Sequence, residues 1–232
     1  MPANFGRHFV IADVHGHGTA LDALLGYMEL TATDRVTFLG DLVDGGSDSR
    51  GVLDRVMSMG AQAQTVLGNH ESMLLAAMTD DDVARHWLRY GGDRTLASFG
   101  VARAEQIPKR YRQWLLSLPL WIEEANYVFV HAGVDPKLPL ADQTEQTLLW
   151  QHHNDPQPLS SGKTLVTGHR PRSQPVLLDH HLSLDTGIAC GGLLTAIELP
   201  EVWGDSVRDM IQVDAMGARV SQSSRGVRRR VA

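Results

Sequence analysis

Short apolar runs and helix-like patterns alternate along the first third of the chain. His8–Ala12, Arg35–Leu39 and Gln64–Leu67 are short and mostly apolar, which is typical of buried strands. Each run is followed by a polar loop, and then by leucine, valine or methionine at helical spacing. Strands that alternate with helices in this way indicate βαβ units, so we predict parallel pairing of these strands.

The middle of the chain is predicted to be helical and the remainder rich in strands. Asp80–Tyr90 and Glu105–Leu118 carry aromatic residues and leucines at helical intervals, with a break at Gly91-Gly92. The strands predicted after this point are Trp121–Glu123, Tyr127–His131, Thr164–Thr167, Val176–Leu178, Leu182–Leu184, Leu193–Leu199 and Met210–Val213. We therefore predict one α/β domain with mixed sheets over residues 1–220, and β-hairpins in its second half. The Arg-rich end, residues 221–232, has little apolar content and is predicted to be disordered.

Composition excludes several classes of protein. The 232 residues are 43% hydrophobic and 21% charged, which is ordinary for a globular chain. The formal net charge of −6 counts against a nucleic-acid partner. The single cysteine, Cys190, excludes an internal disulfide and a cysteine-rich zinc site. We find no apolar segment near 18 residues and no signal-peptide pattern, so we expect no membrane partner and a cytoplasmic location.

Potential metal ligands follow five of the predicted strands. Three loops read DVHG at 13–16, GDLVD at 40–44 and GNHE at 68–71, and two later strands end at His131 and His169. Open α/β sheets bind ligands at the carboxyl ends of their strands. Carboxylate, imidazole and amide oxygen suit Mn, Fe or Zn, with Mg as a further candidate. Two such ions can hold a phosphoryl group and activate water, while an imidazolium protonates the leaving oxygen.

Together these motifs resemble the phosphoprotein phosphatase family of calcineurin-like metallophosphoesterases. The family pattern is GDxHG, GDxVDRG, GNHE, a later strand-end His and a GH. This chain has ADVHG at 12–16, GDLVDGG at 40–46, GNHE at 68–71, His131 and Gly168-His169, and the resemblance covers roughly residues 8–199. The bacterial and phage serine/threonine phosphatases and the symmetrical diadenosine tetraphosphatases are similar small relatives. The resemblance implies a β-sandwich of two mixed sheets flanked by helices.

The resemblance also implies residue roles. Six side chains would bind two divalent metal ions: Asp13 and His15 the first ion, Asp41 both ions as a bridge, and Asn69, His131 and His169 the second ion. We expect these ions to be Mn, with Fe, Zn or Mg as alternatives. His70 would be the general acid, oriented by Asp44.

One position departs from the family pattern in a way that affects substrate binding. Gly45 stands where the family has an Arg that grips phosphate oxygens. Phosphate recognition is therefore expected to use other groups. Arg170, which directly follows a metal ligand, is our first candidate, followed by Arg94 and Arg50.

Three functions remain open at this point. The main prediction is a metal-dependent phosphatase acting on phosphomonoesters, most like a serine/threonine protein phosphatase, because the tetraphosphatases usually carry Asp at the position of Glu71. The alternative is a hydrolase of dinucleoside polyphosphates or another small phosphoester. The third is an inactive metal- or phosphate-binding module, which the complete ligand set disfavours. The expected partner is thus a phosphoprotein or a small phosphoester.

Overall fold

Two mixed five-stranded sheets form the centre of the computed structural model, which describes residues 6–152, 156–201 and 209–220. From one edge to the other, the first sheet contains β10 (Met210–Val213), β9 (Leu194–Leu199), β1 (His8–Ile11), β2 (Arg35–Phe38) and β3 (Ala63–Thr65). β1, β2 and β3 are parallel, as the βαβ pattern predicts, and β9 is antiparallel to both β1 and β10. The amino-terminal half of the chain thus supplies three neighbouring strands with the same direction.

The second sheet has the same mixed character. Its strands in order are β4 (Trp121–Glu123), β5 (Tyr127–Val130), β6 (Thr164–Thr167), β8 (His181–Ser183) and β7 (Val176–Leu177). β5, β6 and β8 run parallel, with Tyr127 opposite Thr164 and Leu165 opposite His181. We predicted hairpins here, and only β4–β5 and β7–β8 within this sheet have the antiparallel pairing of a hairpin. The polar/apolar pattern of a short buried strand does not encode its pairing direction, which is set by tertiary packing.

Seven α-helices connect and cover the sheets within the described ranges. They are α1 (Gly18–Met28), α2 (Ser49–Ser58), α3 (Asn69–Ala77), α4 (Asp81–Trp87), α5 (Asp93–Phe99), α6 (Lys109–Leu116) and α7 (Glu145–Trp150). Short 3-10 turns lie at Gly60–Gln62, Ala104–Gln106, Leu140–Asp142 and Ile188–Cys190, and a π-helical turn at Leu88–Gly92 joins α4 to α5.

Local sequence explains where several helices begin. The side chain of Asp48 accepts a hydrogen bond from the Gly51 amide at the start of α2, and Asp80 accepts two amides at the start of α4. The helix predicted over Glu105–Leu118 is instead the 3-10 turn at Ala104–Gln106 followed by α6. Pro108 separates the two, because proline has no N–H to continue a helix and fits at its beginning.

Alternating side chains of the central strands enter different cores. On β1, Phe9 and Ile11 join the core under α1 to α6, whereas Val10 packs between the two sheets. On β5, Phe129 faces the other sheet, and Val130 faces the outer layer that includes α7. This two-residue period is that of a strand buried on both faces.

The resulting architecture is the β-sandwich of two mixed sheets flanked by helices that the resemblance implied. None of the described helices has both the length and the apolar character needed to cross a membrane. The predicted disordered tail, residues 221–232, lies outside the described residues. The assignment of residues 1–220 to a single domain remains a prediction.

Candidate metal centre

The carboxyl ends of the parallel strands bring the predicted ligands to one edge of the sandwich. Asp13 and Asp41 follow β1 and β2, Asn69 begins α3 just after β3, and His131 and His169 follow β5 and β6. Nε2 of His131 lies 3.4 Å from Oδ2 of Asp41, so side chains from the two sheets meet there. We call the six side chains Asp13, His15, Asp41, Asn69, His131 and His169 the ligand cluster.

One side of the ligand cluster is a convergence of three potential ligand atoms. Oδ1 of Asn69 lies 2.7 Å from Nε2 of His131 and 3.0 Å from Nδ1 of His169, and the two ring nitrogens are 3.2 Å apart. Asp41, His131 and His169 also offer ligand atoms within 4.8 Å of one another. Such a group of atoms could hold a cation. The assignment of these residues to the second metal ion stays a prediction.

The other side of the ligand cluster contains His15. Its Nε2 lies 3.6 Å from Oδ2 of Asp41, and His15, Asp41 and His70 form a second group whose ligand atoms lie within 4.8 Å. Asp13, the predicted partner of His15, belongs to neither group. It is buried, and its carboxylate accepts the backbone N–H of His169 at 3.0 and 3.1 Å. Asp41 belongs to both groups, as a bridging ligand must.

Backbone carbonyls fix the tautomers of two histidines. Nδ1 of His131 lies 2.8 Å from the carbonyl oxygen of Leu39, and Nδ1 of His15 lies 3.2 Å from that of Val43. An Nδ1–H that donates to a carbonyl leaves the lone pair on Nε2. In both rings Nε2 is the nitrogen that approaches Asp41, so the imidazoles are oriented as metal ligands commonly are.

The charges of the cluster also fit a divalent cation. Burial disfavours the charged form of His131, but the charges of Asp41 and Asp13 and the bonds to Asp41 and Leu39 together outweigh burial and raise the pKa of His131 to about 10. Burial opposes the ionised form of Asp41 as well, yet His131 and His70 hold the pKa of this carboxyl well below its usual range. Without metal, a proton therefore supplies positive charge between these groups. Metal binding would displace it, because a histidine ligand must be neutral.

Backbone strain is concentrated at this edge of the sheets. Among the described non-glycine residues, positive φ occurs at Glu29, which ends α1, and at His15, Asp41, Asp44 and His169. Such conformations cost on the order of 1–3 kcal/mol each and persist only where the surrounding structure enforces them. The four strained residues near the cluster all carry side chains for which the sequence predicts a function.

His70 and Asp44 form the pair that the sequence predicts. Nδ1 of His70 donates to Oδ2 of Asp44 at 2.7 Å, and Nε2 points toward the cluster, 4.0 Å from Oδ2 of Asp41. Burial acts against the imidazolium, but the charge of Asp41 and the bond to Asp44 raise the pKa of His70 to about 9. A protonated His70 is thus available beside the ligand cluster.

Two further side chains hold Asp44, and the sequence analysis did not assign them a role. Nε1 of Trp87 donates to Oδ2 of Asp44 at 2.8 Å, and the Thr95 hydroxyl donates to Oδ1 at 2.6 Å. Asp44 is fully buried. Trp87 at helical spacing is indistinguishable from an ordinary core residue, so nothing in the local pattern identified it.

The predicted phosphate-binding arginines differ in position. Arg94 donates to the carbonyl of Gly45, a residue with a φ of 77°, and therefore lies beside the pair formed by His70 and Asp44. Arg170 is half-buried and follows His169 directly. Arg50 is exposed on α2, where its guanidinium faces Asp54 at 3.8 Å, and its role stays a prediction.

Two residues that the sequence analysis did not select also lie at this edge. The exposed ring of His152 packs against His169, with ring centroids 4.8 Å apart. Asp185 follows β8 and is buried, and its charge helps burial to raise the pKa of Asp13 well above the usual range. Asp185 is thus a polar side chain that follows a sixth strand. It lies outside the motifs from which the site residues were chosen, and so it was not selected.

Comparison with known proteins places this geometry in a family. The model of the calcineurin-like phosphoesterases matches residues 7–193. The symmetrical bis(5'-nucleosyl)-tetraphosphatase of Bordetella pertussis is 38% identical over 154 residues, which cover 62% of this chain and 51% of that protein. The chain thus spans about half the length of the curated relatives it matches.

Solved structures agree on the fold. A protein provisionally described as a diadenosine tetraphosphatase has a TM-score of 0.69 and 25% identity, with 92% of this chain and 95% of that chain covered. A serine/threonine phosphatase from Saccharomyces cerevisiae has a TM-score of 0.63 at 18% identity, with 96% and 82% covered, and supports the fold alone. The family model covers most of the chain, and the chain therefore belongs to the calcineurin-like phosphoesterase family.

Proposed function

We propose that this protein hydrolyses dinucleoside polyphosphates of the diadenosine tetraphosphate type. The main support for this proposal is sequence similarity. Proteins from Bordetella, Salmonella and other bacteria that are 34–38% identical to this chain are symmetrical bis(5'-nucleosyl)-tetraphosphatases. The ligand cluster supports the same reaction class. This substrate is the alternative of the sequence analysis, and it replaces the protein-phosphatase prediction as our preferred function.

The sequence analysis preferred a protein phosphatase because of Glu71. The position of Glu71 in the structure weakens that argument. Its side chain is completely buried, and its carboxylate is bonded to backbone N–H groups. A side chain in this position does not contact a substrate. Its identity therefore does not distinguish a phosphoprotein from a dinucleoside polyphosphate.

The proposed mechanism rests on the residues around the ligand cluster. When bound, two divalent ions supply the positive charge that holds a phosphate and lowers the pKa of a water molecule. Asp41 would bind both ions, with Asp13 and His15 on one side, and Asn69, His131 and His169 on the other. We propose Mn as the metal, because this mixed oxygen and nitrogen donor set suits it.

His70 would protonate the leaving oxygen. Its Nδ1–H is engaged by Asp44, so the proton on Nε2 is the one directed toward the cluster. As the bond between phosphorus and the bridging oxygen breaks, transfer of this proton neutralises the negative charge that develops on the leaving oxygen of the nucleoside diphosphate. Asp44 keeps the ring in one orientation throughout. Arg94 and Arg170 remain our candidates for contacts with the phosphate chain.

Product analysis tests this function. Metal-replete protein is incubated with diadenosine tetraphosphate, a phosphoserine peptide and p-nitrophenyl phosphate, and products are separated by ion-exchange chromatography. We expect the highest kcat/KM for the dinucleotide and two molecules of ADP per substrate, which is the symmetrical cleavage. A higher kcat/KM for the phosphopeptide would restore the protein-phosphatase prediction, and no turnover of any substrate would indicate a binding module.

A further inference from the structure

Glu71 accepts more backbone hydrogen bonds than the capping of its own helix, α3, requires. The residue lies in the first turn of α3 and is completely buried. Its Oε2 accepts the N–H groups of Asp41 at 2.8 Å and Gly68 at 3.0 Å. Its Oε1 accepts those of Leu42 at 2.7 Å and Val43 at 3.1 Å. Only the bond to Gly68 belongs to capping of α3, so three of the four bonds hold a different loop.

The loop held by Glu71 carries the shared ligand of the cluster. Asp41 has a φ of 50°, a conformation that non-glycine residues rarely adopt. A backbone carbonyl of the same loop is also hydrogen-bonded. The carbonyl oxygen of Asp41 accepts the N–H groups of Val14 and His15 at 2.9 and 2.8 Å. The loop therefore connects Glu71 on one side to the segment that carries His15 on the other.

We propose that Glu71 is a positioning residue for metal binding: its carboxylate holds the strained loop 41–43 so that Asp41 is presented to both halves of the ligand cluster. The inference rests on the metal site of the proposed function but not on its substrate. A carboxylate suits this task because its two oxygens together offer about four acceptor sites, which match four N–H donors. Glutamine has the same shape, but its NH2 group would face two N–H donors and could accept neither.

The test is Glu71→Gln, with Asp34→Asn as the matched control. Asp34 is also a buried carboxylate that accepts backbone N–H groups, from Arg7 and Thr31, but it lies before β2, at the opposite end of that strand from Asp41. Apparent Mn affinity of the metal-stripped proteins is measured by calorimetric titration, and folding by circular dichroism. We expect Glu71→Gln to bind Mn about 10–100-fold more weakly, the usual loss when a residue that orients a ligand is removed.

Asp34→Asn should leave Mn affinity within about twofold of the wild type, whatever its effect on Tm. Unchanged Mn affinity in folded Glu71→Gln would overturn the proposal, and so would an equal loss in Asp34→Asn, which would mark a general effect of destabilisation. Because neither measurement uses a substrate, failure of the dinucleotide assay leaves this test intact.

A measurement on the wild-type protein covers the case in which Glu71→Gln does not fold. Amide hydrogen exchange of residues 41–43 is followed by NMR in the metal-stripped protein. We expect these three amides to be strongly protected before any metal is added, since Glu71 holds them. Exchange as fast as that of exposed loop amides would show that the loop is ordered by metal rather than by Glu71, and would overturn the proposal.

Discussion

The sandwich contains buried polar clusters at both ends of its sheets, and the two are built differently. At the end opposite the ligand cluster, Glu124 accepts from Arg35 at 3.0 Å and from Gln64 at 2.9 Å. The Thr37 hydroxyl there bonds Gln64 at 2.8 Å and His8 at 2.7 Å. We call these five side chains the closed-end cluster. Each of these four bonds joins a donor to an acceptor, and the strand residues of the closed-end cluster have ordinary backbone conformations.

The ligand cluster differs in both respects. An amide oxygen and two ring nitrogens converge within 3.2 Å around the proton that His131 carries without metal, and three of the six residues have positive φ. A cluster that stabilises the fold pairs its own donors and acceptors, whereas a cluster built for a cation contains more acceptor atoms than its protons can satisfy. The presence of a buried histidine and a carboxylate does not separate the two, because both clusters contain them.

The largest effect is expected when one carboxylate of each cluster is replaced, because only the ligand cluster should lose metal ions. Asp41→Asn removes the carboxylate that belongs to both halves of the ligand cluster, so it should lose both metal ions and all measurable turnover. Glu124→Gln, in the closed-end cluster, should lower Tm but keep the metal content and the turnover per folded molecule. Elemental analysis and turnover of p-nitrophenyl phosphate, before and after chelation and addition of Mn, check both outcomes.

Two results would break this distinction. Full metal content in Asp41→Asn would exclude the bridging role, and full activity of the wild type after exhaustive chelation would exclude a metal-dependent reaction altogether.

The second-largest effect is expected at His70, and it distinguishes a proton donor from a metal ligand. His70→Asn removes the proton donor, so kcat for an alkyl phosphate should fall by roughly 10²–10⁴. The loss should be smaller for p-nitrophenyl phosphate, whose leaving group needs little protonation. Metal content should stay at the wild-type value. Because His70 lies within ligand distance of Asp41 and His15, a loss of metal would instead identify it as a ligand.

The sequence predicted that the residues of the ligand cluster lie close together, because each of them belongs to a short motif directly after a strand. Each motif follows a short apolar strand, and parallel strands bring their carboxyl ends to one edge of a sheet. Asp13, Asp41 and Asn69 could therefore be placed near one another before the structure was known. Their roles in metal binding and catalysis remain predictions.

The supporting contacts could not be predicted in the same way. Glu71 three residues after Gly68 fits an ordinary helix start, and Trp87 at helical spacing fits an ordinary core residue. Their partners, Asp41 and Asp44, lie 30 and 43 residues away in sequence. The parallel pairing of β6 with β8 was missed for the same reason, since local patterns carry no information about such distant partners.

A smaller effect is expected from Trp87→Phe, which removes one donor from Asp44 and retains the aromatic core contact. Asp44 would keep Thr95 and His70, so the His70 ring should lose part of its orientation and kcat for an alkyl phosphate should fall about tenfold, equivalent to ~1.4 kcal/mol. Trp114→Phe is the control, because Trp114 packs against the same helical core and is not among the described contacts of Asp44. Equal losses in the two variants would show that the effect is one of packing.

The smallest effect on turnover is expected in the closed-end cluster, where His8→Gln should change stability alone. Burial lowers the pKa of His8 from 6.5 to about 4, although Glu124 acts in the opposite direction. Between these values the unfolded chain takes up a proton that the folded chain does not, so the free energy of unfolding falls as pH decreases from 6.5 toward 4. Above pH 6.5, His8 contributes no pH dependence.

His8→Gln removes this titration while its amide can still bond Thr37. We therefore expect the drop in unfolding free energy between pH 7.5 and pH 5 to be smaller in the variant, by roughly 1–2 kcal/mol. Burial raises the pKa of Glu124, but its bonds to Gln64 and Arg35 and the nearby His8 hold the pKa below its usual value. Glu124 is present in both proteins, so its own titration is common to the two measurements. His15 and His169, whose pKa values burial also lowers to about 4, contribute equally in both proteins. Urea unfolding at the two pH values measures the effect. An identical drop in both proteins would mean that folding does not lower the pKa of His8, and the closed-end cluster would then hold an imidazolium at pH 5, as the ligand cluster does at His131.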